Sequence, residues 1–235
     1  MIWKNNLKKI YFGVLKSLRW EKAVLSHLQR NNLLTVLNFH KVSPHPNPFW
    51  SPLHPQIFED LIVFLKNNFD VVLFRELDEI KSEKPLVILS FDDGYGDFVE
   101  YAMPILEKHK VRANMNIIPV CVESGEPVWL TKLYDFLNVA PLSLINEIIL
   151  EGFDYRLKDD SFENKLQYSL LISAFLKNRS YLERKKYWKE IEKVIDKLDF
   201  SLTRMMSRQE VLEILSIHEI GAHSFSHLTS ELDDG

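Results

Sequence analysis

Between residues 33 and 120, short apolar runs rich in β-branched side chains alternate with segments of helical spacing, and this alternation restricts the fold more than any other feature of the chain. Leu33–His40 (LLTVLNFH), Asp70–Phe74 (DVVLF), Pro85–Phe91 (PLVILSF) and Ala113–Val120 (ANMNIIPV) read as four strands. Phe58, Leu61, Ile62 and Leu65 recur at helical spacing. Tyr101, Ile105 and Leu106 do the same in a helix ending near Lys110. A loop joins the first strand to the first of these helices, because Pro44, Pro46, Pro48, Pro52 and Pro55 forbid regular structure there. Strand, helix, strand, helix is the order of a parallel sheet or a βα barrel.

The alternation stops at Trp129. From there to about Leu198 the reading is helical, over Leu142–Leu150, Phe162–Leu176 and Tyr181–Leu198. Trp188, Ile191, Ile195 and Leu198 form an apolar stripe on the last of these, with lysines on its other side. The first pattern resumes with a helix at Arg208–Ser216 and a fifth strand at His218–His223. Residues of about 129–200 are therefore expected to be a helical insertion between the fourth and fifth strands.

Composition narrows the function. With 46% hydrophobic and 26% charged residues, the chain has the make-up of a globular protein with a sizeable core. A net charge of −4 gives no basic field of the kind that nucleic acid requires. Cys121 is the sole cysteine, which excludes an intrachain disulfide and a cysteine-rich zinc module. Residues 1–30 are the exception to the acidic balance, with seven basic side chains against Glu21. Leu7, Ile10, Tyr11, Val14, Leu15 and Leu18 there keep helical spacing. This basic amphipathic helix has two readings: peripheral contact with a membrane surface, or a cover for the domain, which is favoured. The apolar run Ile10–Leu15 is too short for a signal peptide or a membrane span, so the chain is expected in the cytoplasm, at the inner membrane face if the first reading holds.

Two short motifs carry chemistry. In LSFDDGYGDF an apolar strand runs into Asp92, Asp93 and Gly94, which places two carboxylates at the strand end where βα folds build their sites. Neighbouring residues on an extended backbone point apart, so the two acids are free to take different roles, and a divalent cation would relieve their repulsion. The plainer reading is a solvated loop with an aspartate capping the next helix. In GAHSFSHL, His223 and His227 are four residues apart at the end of another strand and are able to share a metal ion. Either motif alone is weak; one carboxylate with two imidazoles is a three-ligand set that leaves positions open for water and substrate.

Together these motifs resemble the polysaccharide deacetylases, the NodB homology domain of carbohydrate esterase family four. Phe91-Asp92-Asp93-Gly94 is similar to their first motif, Thr-Phe-Asp-Asp-Gly, with Ser90 in place of the threonine. His223-Ser224-Phe225-Ser226-His227 is similar to their second, and Leu37–Pro44 to their opening strand, Tyr-His-x-Val. The resemblance covers roughly residues 33–229 around the insertion. It implies an α/β fold, a partial (β/α) barrel of the polysaccharide deacetylase type spanning residues 31–235. It also implies Asp92 as catalytic base and a divalent metal ion, zinc in most members and cobalt in some, on Asp93, His223 and His227. His40 ends the first strand and is placed to line the pocket, with no acid role assigned. His45, His54, His109 and His218 read as surface or loop residues, and His27 belongs to the N-terminal helix. The family's later motifs (Arg-x-Pro-Tyr, Asp-x-x-Asp-Trp and Leu-x-His), which carry a base-orienting arginine and the general acid, have no counterpart in the eight residues between His227 and Gly235. The expectation is thus a C-terminally truncated barrel whose first and fifth strands each have an open edge.

The activity implied is removal of an acetyl group, from nitrogen or oxygen, on a sugar of a polysaccharide or glycan precursor. Two alternatives stand beside it: an inactive remnant that binds metal and carbohydrate without turnover, and another hydrolase using the same Asp-His-His set.

Overall fold

The computed structural model describes residues 20–224. Helix α1 (Trp20–Arg30) is exposed and touches the core only through Leu25 and Leu28. The rest of the basic N-terminal segment, residues 1–19, lies outside the described residues, as does His227. Strand β1 (Leu34–Phe39) follows, then helix α2 (Pro55–Asn68), which starts at the last proline of the loop because proline has no N–H to lose in a first turn. The His54 ring caps it, Nδ1 accepting from the Gln56 N–H at 3.2 Å.

Strand β2 (Asp70–Val71) is much shorter than the apolar run DVVLF predicts. After Val72 the chain turns into a single 3-10 turn at Phe74–Glu76, and the Glu219 carboxylate accepts from the N–H groups of Phe74 and Arg75 at 2.8 and 3.2 Å. The neighbouring strand β3 (Leu86–Asp93) runs two residues past the predicted end, so both aspartates belong to it. A π turn at Phe98–Ala102 leads into helix α3 (Met103–His109), which ends on Lys110 as expected. Strand β4 (Asn114–Ile117) stops early because Pro119 opens a short helix, α4 (Pro119–Ser124), that the apolar reading of IIPV did not foresee.

All the pairings in the sheet are parallel, in the order β1-β3-β4-β5, where β5 is Glu219–Ala222. At Leu86 and Val87, β3 pairs with β1 on one edge and β2 on the other; from Ser90 onward that second edge belongs to β4. The sheet is open: β1 and β5 are its outer strands among the described residues, and no closed barrel forms there.

Alternation along the strands sorts the two faces. Leu37, Phe39, Val87, Leu89, Phe91 and Met115 pack under α2 and α3 with Phe58, Ile62, Leu65, Phe98 and Leu106. Phe91 is the centre of this core, 5.0 Å from the Phe39 ring, 5.8 Å from Phe58 and 4.9 Å from Phe98. The opposite face is polar toward its carboxyl end: Asn38 on β1, Ser90 and Asp92 on β3, and Asn114 and Asn116 on β4. The helix layer therefore holds the sheet together, while the other face is available for chemistry.

The insertion has its own core. Helix α5 (Trp129–Val139) begins where the alternation fails, followed by a one-turn helix, α6 (Leu142–Ile145), then α7 (Phe162–Lys177) and α8 (Tyr181–Ile195). The predicted helix over 142–150 ends after that turn, and Leu150 bridges to Phe153 across Gly152, whose φ is +79°. Leu133, Phe136, Tyr168, Ile172, Leu176 and Ile191 are fully buried against one another. Ser161 caps α7, and Ser180 with Glu183 forms a reciprocal capping box on α8. Helix α9 (Arg208–Ile214) then returns the chain to β5. His218, expected at the surface, is fully buried. Its Nδ1 accepts from the Ala113 N–H at 3.1 Å and its ring meets Phe98 edge-on, so it seats the start of β5 in the core.

Candidate active site

Strand β3 delivers both carboxylates to its carboxyl end. Asp92 is 6% and Asp93 3% exposed, which rejects the solvated-loop reading. Asp93 has φ +76° and Gly94 φ +82°, two consecutive left-handed residues that turn the chain out of the sheet. That conformation suits glycine and costs an aspartate roughly 1 kcal/mol or more.

The two side chains meet different surroundings. Asp92 lies on the polar face between two amides: Asn38 Nδ2 donates to Oδ2 and Asn116 Nδ2 to Oδ1, each at 2.8 Å. Asp93 faces the Tyr95 hydroxyl, which hydrogen-bonds it and sits 2.8 Å from Thr131 Oγ1 on α5. Burial, then the charge of Asp93, raises the tyrosine pKa above its ordinary value, and the same two causes push the Cys121 thiol up to about 11. Both groups are neutral at physiological pH.

His223 approaches from β5. Its backbone N–H donates to Ile117 O at 2.8 Å, which carries the β4–β5 ladder one residue further. Its ring then faces both acids, with Nε2 3.7 Å from Asp93 Oδ1 and Nδ1 3.9 Å from Asp92 Oδ1. A tetrahedral zinc ion holds N and O donors at about 2.0–2.2 Å, so two of them stand about 3.4 Å apart. The Asp93–His223 spacing fits such an ion. Among the described residues no third His, Cys, Asp or Glu joins them; His227, the third member of the predicted set, lies outside those residues. His40 follows Asn38 on the same side of the chain, edge-on to Trp50 at 5.1 Å, and Trp50 in turn meets Tyr95 at 5.8 Å. These rings form an aromatic wall beside the carboxylates.

The loop leaving β3 is gripped by the segment that returns from the insertion. Gly96 N donates to Arg204 O at 2.8 Å and Met206 N to Gly94 O at 2.9 Å. The Arg204 guanidinium lies on Gly96, donating to its carbonyl, to Glu100 and to Glu210 at 2.7–2.9 Å. A Cβ on Gly96 would fall 2.5 Å from that guanidinium carbon, so any larger residue must displace the Arg204 side chain. Asp97 Oδ2 accepts from the Val42 N–H at 2.6 Å; burial raises its carboxyl to about 7 despite the opposing charge of Lys41. Asp135 accepts from the Thr203 N–H and hydroxyl at 2.7 and 3.0 Å, and burial raises it as well.

Asn38, Asn116, Tyr95, Thr131 and Arg204 are the residues that motif reading passed over. The asparagines left a trace, as amide side chains at alternate positions in otherwise apolar strands (LTVLNF, NMNI). Thr131 and Arg204 left none, since they reach the site only through the path of the insertion.

A parallel α/β sheet with acids and an imidazole gathered at the carboxyl ends of two strands that flank a third has its polar cluster where such folds build binding and catalytic sites. Residues 79–155, which hold β3, β4 and the start of the insertion, match the family model named polysaccharide deacetylase. Among solved structures the chain is similar to the Streptococcus pyogenes deacetylase PplD in complex with acetate (26% identity, 39% of this chain and 45% of that one, TM-score 0.35). It is also similar to IcaB from Ammonifex degensii (25% identity, 38% and 40%, TM-score 0.34) and to BC0361, a polysaccharide deacetylase from Bacillus cereus (14% identity, 83% and 40%, TM-score 0.44). The chain thus spans less than half the length of each of these three. A search of curated proteins gives no match.

Proposed function

We propose that this chain is a metal-dependent polysaccharide deacetylase that hydrolyses an acetyl amide on a sugar. The observation that carries the reading is the approach of β5 to β3 across β4 at their carboxyl ends, where the His223 ring faces Asp92 and Asp93 at 3.9 and 3.7 Å. Asp93 and His223, completed by His227, are the residues that would hold the ion, with zinc as the metal. When bound, a divalent cation supplies polarisation of the acetyl carbonyl and acidification of water. A carboxylate oxygen of Asp92 takes the proton of the attacking water, since it points away from Asp93 onto the open face. Half-buried His40 and Trp50, backed by the buried Tyr95 ring, give a sugar ring an apolar surface to lie on, and a carbohydrate bearing N-acetyl groups is the substrate class.

The test is acetate release from N-acetylglucosamine oligomers by the zinc-loaded chain. Turnover that chelation abolishes and zinc restores supports the reading. A chain that retains zinc and binds the oligomer without releasing acetate is a non-catalytic binding protein instead.

A further inference from the structure

Asp92 is buried at the centre of three strands, and each of its carboxylate oxygens accepts an amide N–H from a different neighbour: Asn38 from β1 and Asn116 from β4, both at 2.8 Å. The Asn116 donor is itself held. Asn116 pairs with Asp92 in the β3–β4 register, and its Nδ2 also reaches Ser90 Oγ at 3.0 Å. Its Oδ1 accepts from Asn114 Nδ2 at 2.9 Å, and Asn114 reaches the same Ser90 hydroxyl at 3.3 Å. The Asn116 amide extends over Gly221, its partner on β5, where a Cβ would fall 2.2 Å from Oδ1 and force the amide to shift. Two uncharged donors from opposite sides fix both the plane and the rotation of a carboxylate, and leave each oxygen one lone pair for another partner.

We infer that Asn38 and Asn116 are positioning residues that set the orientation of Asp92 toward the attacking water, with Gly221 as the gap that seats Asn116. The inference rests on the deacetylase reading, because the orientation of Asp92 toward a water matters to turnover only where Asp92 is the base for that water. A misaligned base loses rate without losing substrate affinity.

The experiment uses the 235-residue chain loaded with zinc, with N-acetylglucosamine oligomers as substrate. Asn38→Leu and Asn116→Leu each remove a donor and keep the branched shape and the number of heavy atoms. Each should bind zinc as the wild type does and lower kcat at least tenfold, with KM within twofold. Asn38→Gln, which restores an amide, should recover part of kcat. Gly221→Ala should reproduce the Asn116→Leu loss with zinc retained. The Asn116→Leu shift in melting temperature should shrink at least twofold in an Asp92→Ala background, a readout that needs no turnover. If Asn116→Leu fails to fold, Asn38→Leu and Gly221→Ala decide by the same criteria. Wild-type turnover with kcat unchanged in the folded variants overturns the positioning role alone. A wild-type chain that holds zinc and releases no acetate overturns the deacetylase reading, and the role with it.

Discussion

Asp92 and His223 face each other across one strand, yet the proposed chemistry asks different things of them. Asp92→Asn keeps a side chain of the same size between two amides and removes the proton acceptor. It should hold close to one equivalent of zinc and release no acetate, whereas His223→Ala should lose most of the metal, as elemental analysis would show. Equal metal loss in both would mean that the roles are misassigned. Gly96 offers a test of the same scale outside the chemistry. Gly96→Ala drives a methyl into the Arg204 guanidinium and displaces a side chain held by several charge-assisted hydrogen bonds, at a cost of about 2 kcal/mol. A melting temperature within a degree of wild type would show that Arg204 gives way freely.

Among the elements, the insertion is the part most able to be weakened by itself, because its helices close on a separate core. Leu176 is fully buried there, so Leu176→Ala should destabilise the chain by about 2–5 kcal/mol. Ser180→Ala removes the capping box of α8 at about 1 kcal/mol. Denaturant titration distinguishes the two; equal effects would contradict the packing described. The elements also show where sequence reading succeeds. The strand and helix segments were legible because apolar spacing is a local property, and β3 with its two aspartates stood out by its unbroken apolar run. Asp70–Phe74 misled, since a long-range partner, Glu219, captures the N–H groups of Phe74 and Arg75 and ends the strand. Ala113–Val120 misled at Pro119, where an apolar run hides a helix start. His218 could not be placed from sequence, as a histidine that seats a backbone N–H in the core looks like any other beside a strand. The carboxylates and His223 were legible as motifs; the amides around Asp92 became meaningful only once the register set them side by side.

For the molecule as a whole, two buried groups pull stability in opposite directions as pH changes. Burial, and secondarily Arg112, lowers His218 from 6.5 to about 4, so its contribution is present above pH 6.5 and lost as pH falls toward 4. Asp97 is raised from 3.8 to about 7, so its contribution is present below pH 3.8 and lost as pH rises toward 7. The two slopes offset each other across the same window. Asp97→Asn keeps an acceptor for Val42 and abolishes one of them. The stability difference, variant minus wild type, should therefore grow in the variant's favour between pH 4 and 7, as melting temperatures at fixed ionic strength would show. A difference that stays flat would place Asp97 in a wetter site than its burial indicates.

The insertion enters and leaves the molecule at one place. Thr131, just inside its first helix, touches Tyr95, and Thr203 to Met206, just past its last, bind Asp135 and the Gly94–Gly96 loop. Module exchange between chains of this architecture is therefore constrained at its junctions more than in its interior. A donor segment of unrelated helices should be tolerated where it reproduces those two attachments, whereas a short flexible linker joining residues 128 and 207 would preserve the sheet and release the Gly94–Gly96 loop that follows Asp93.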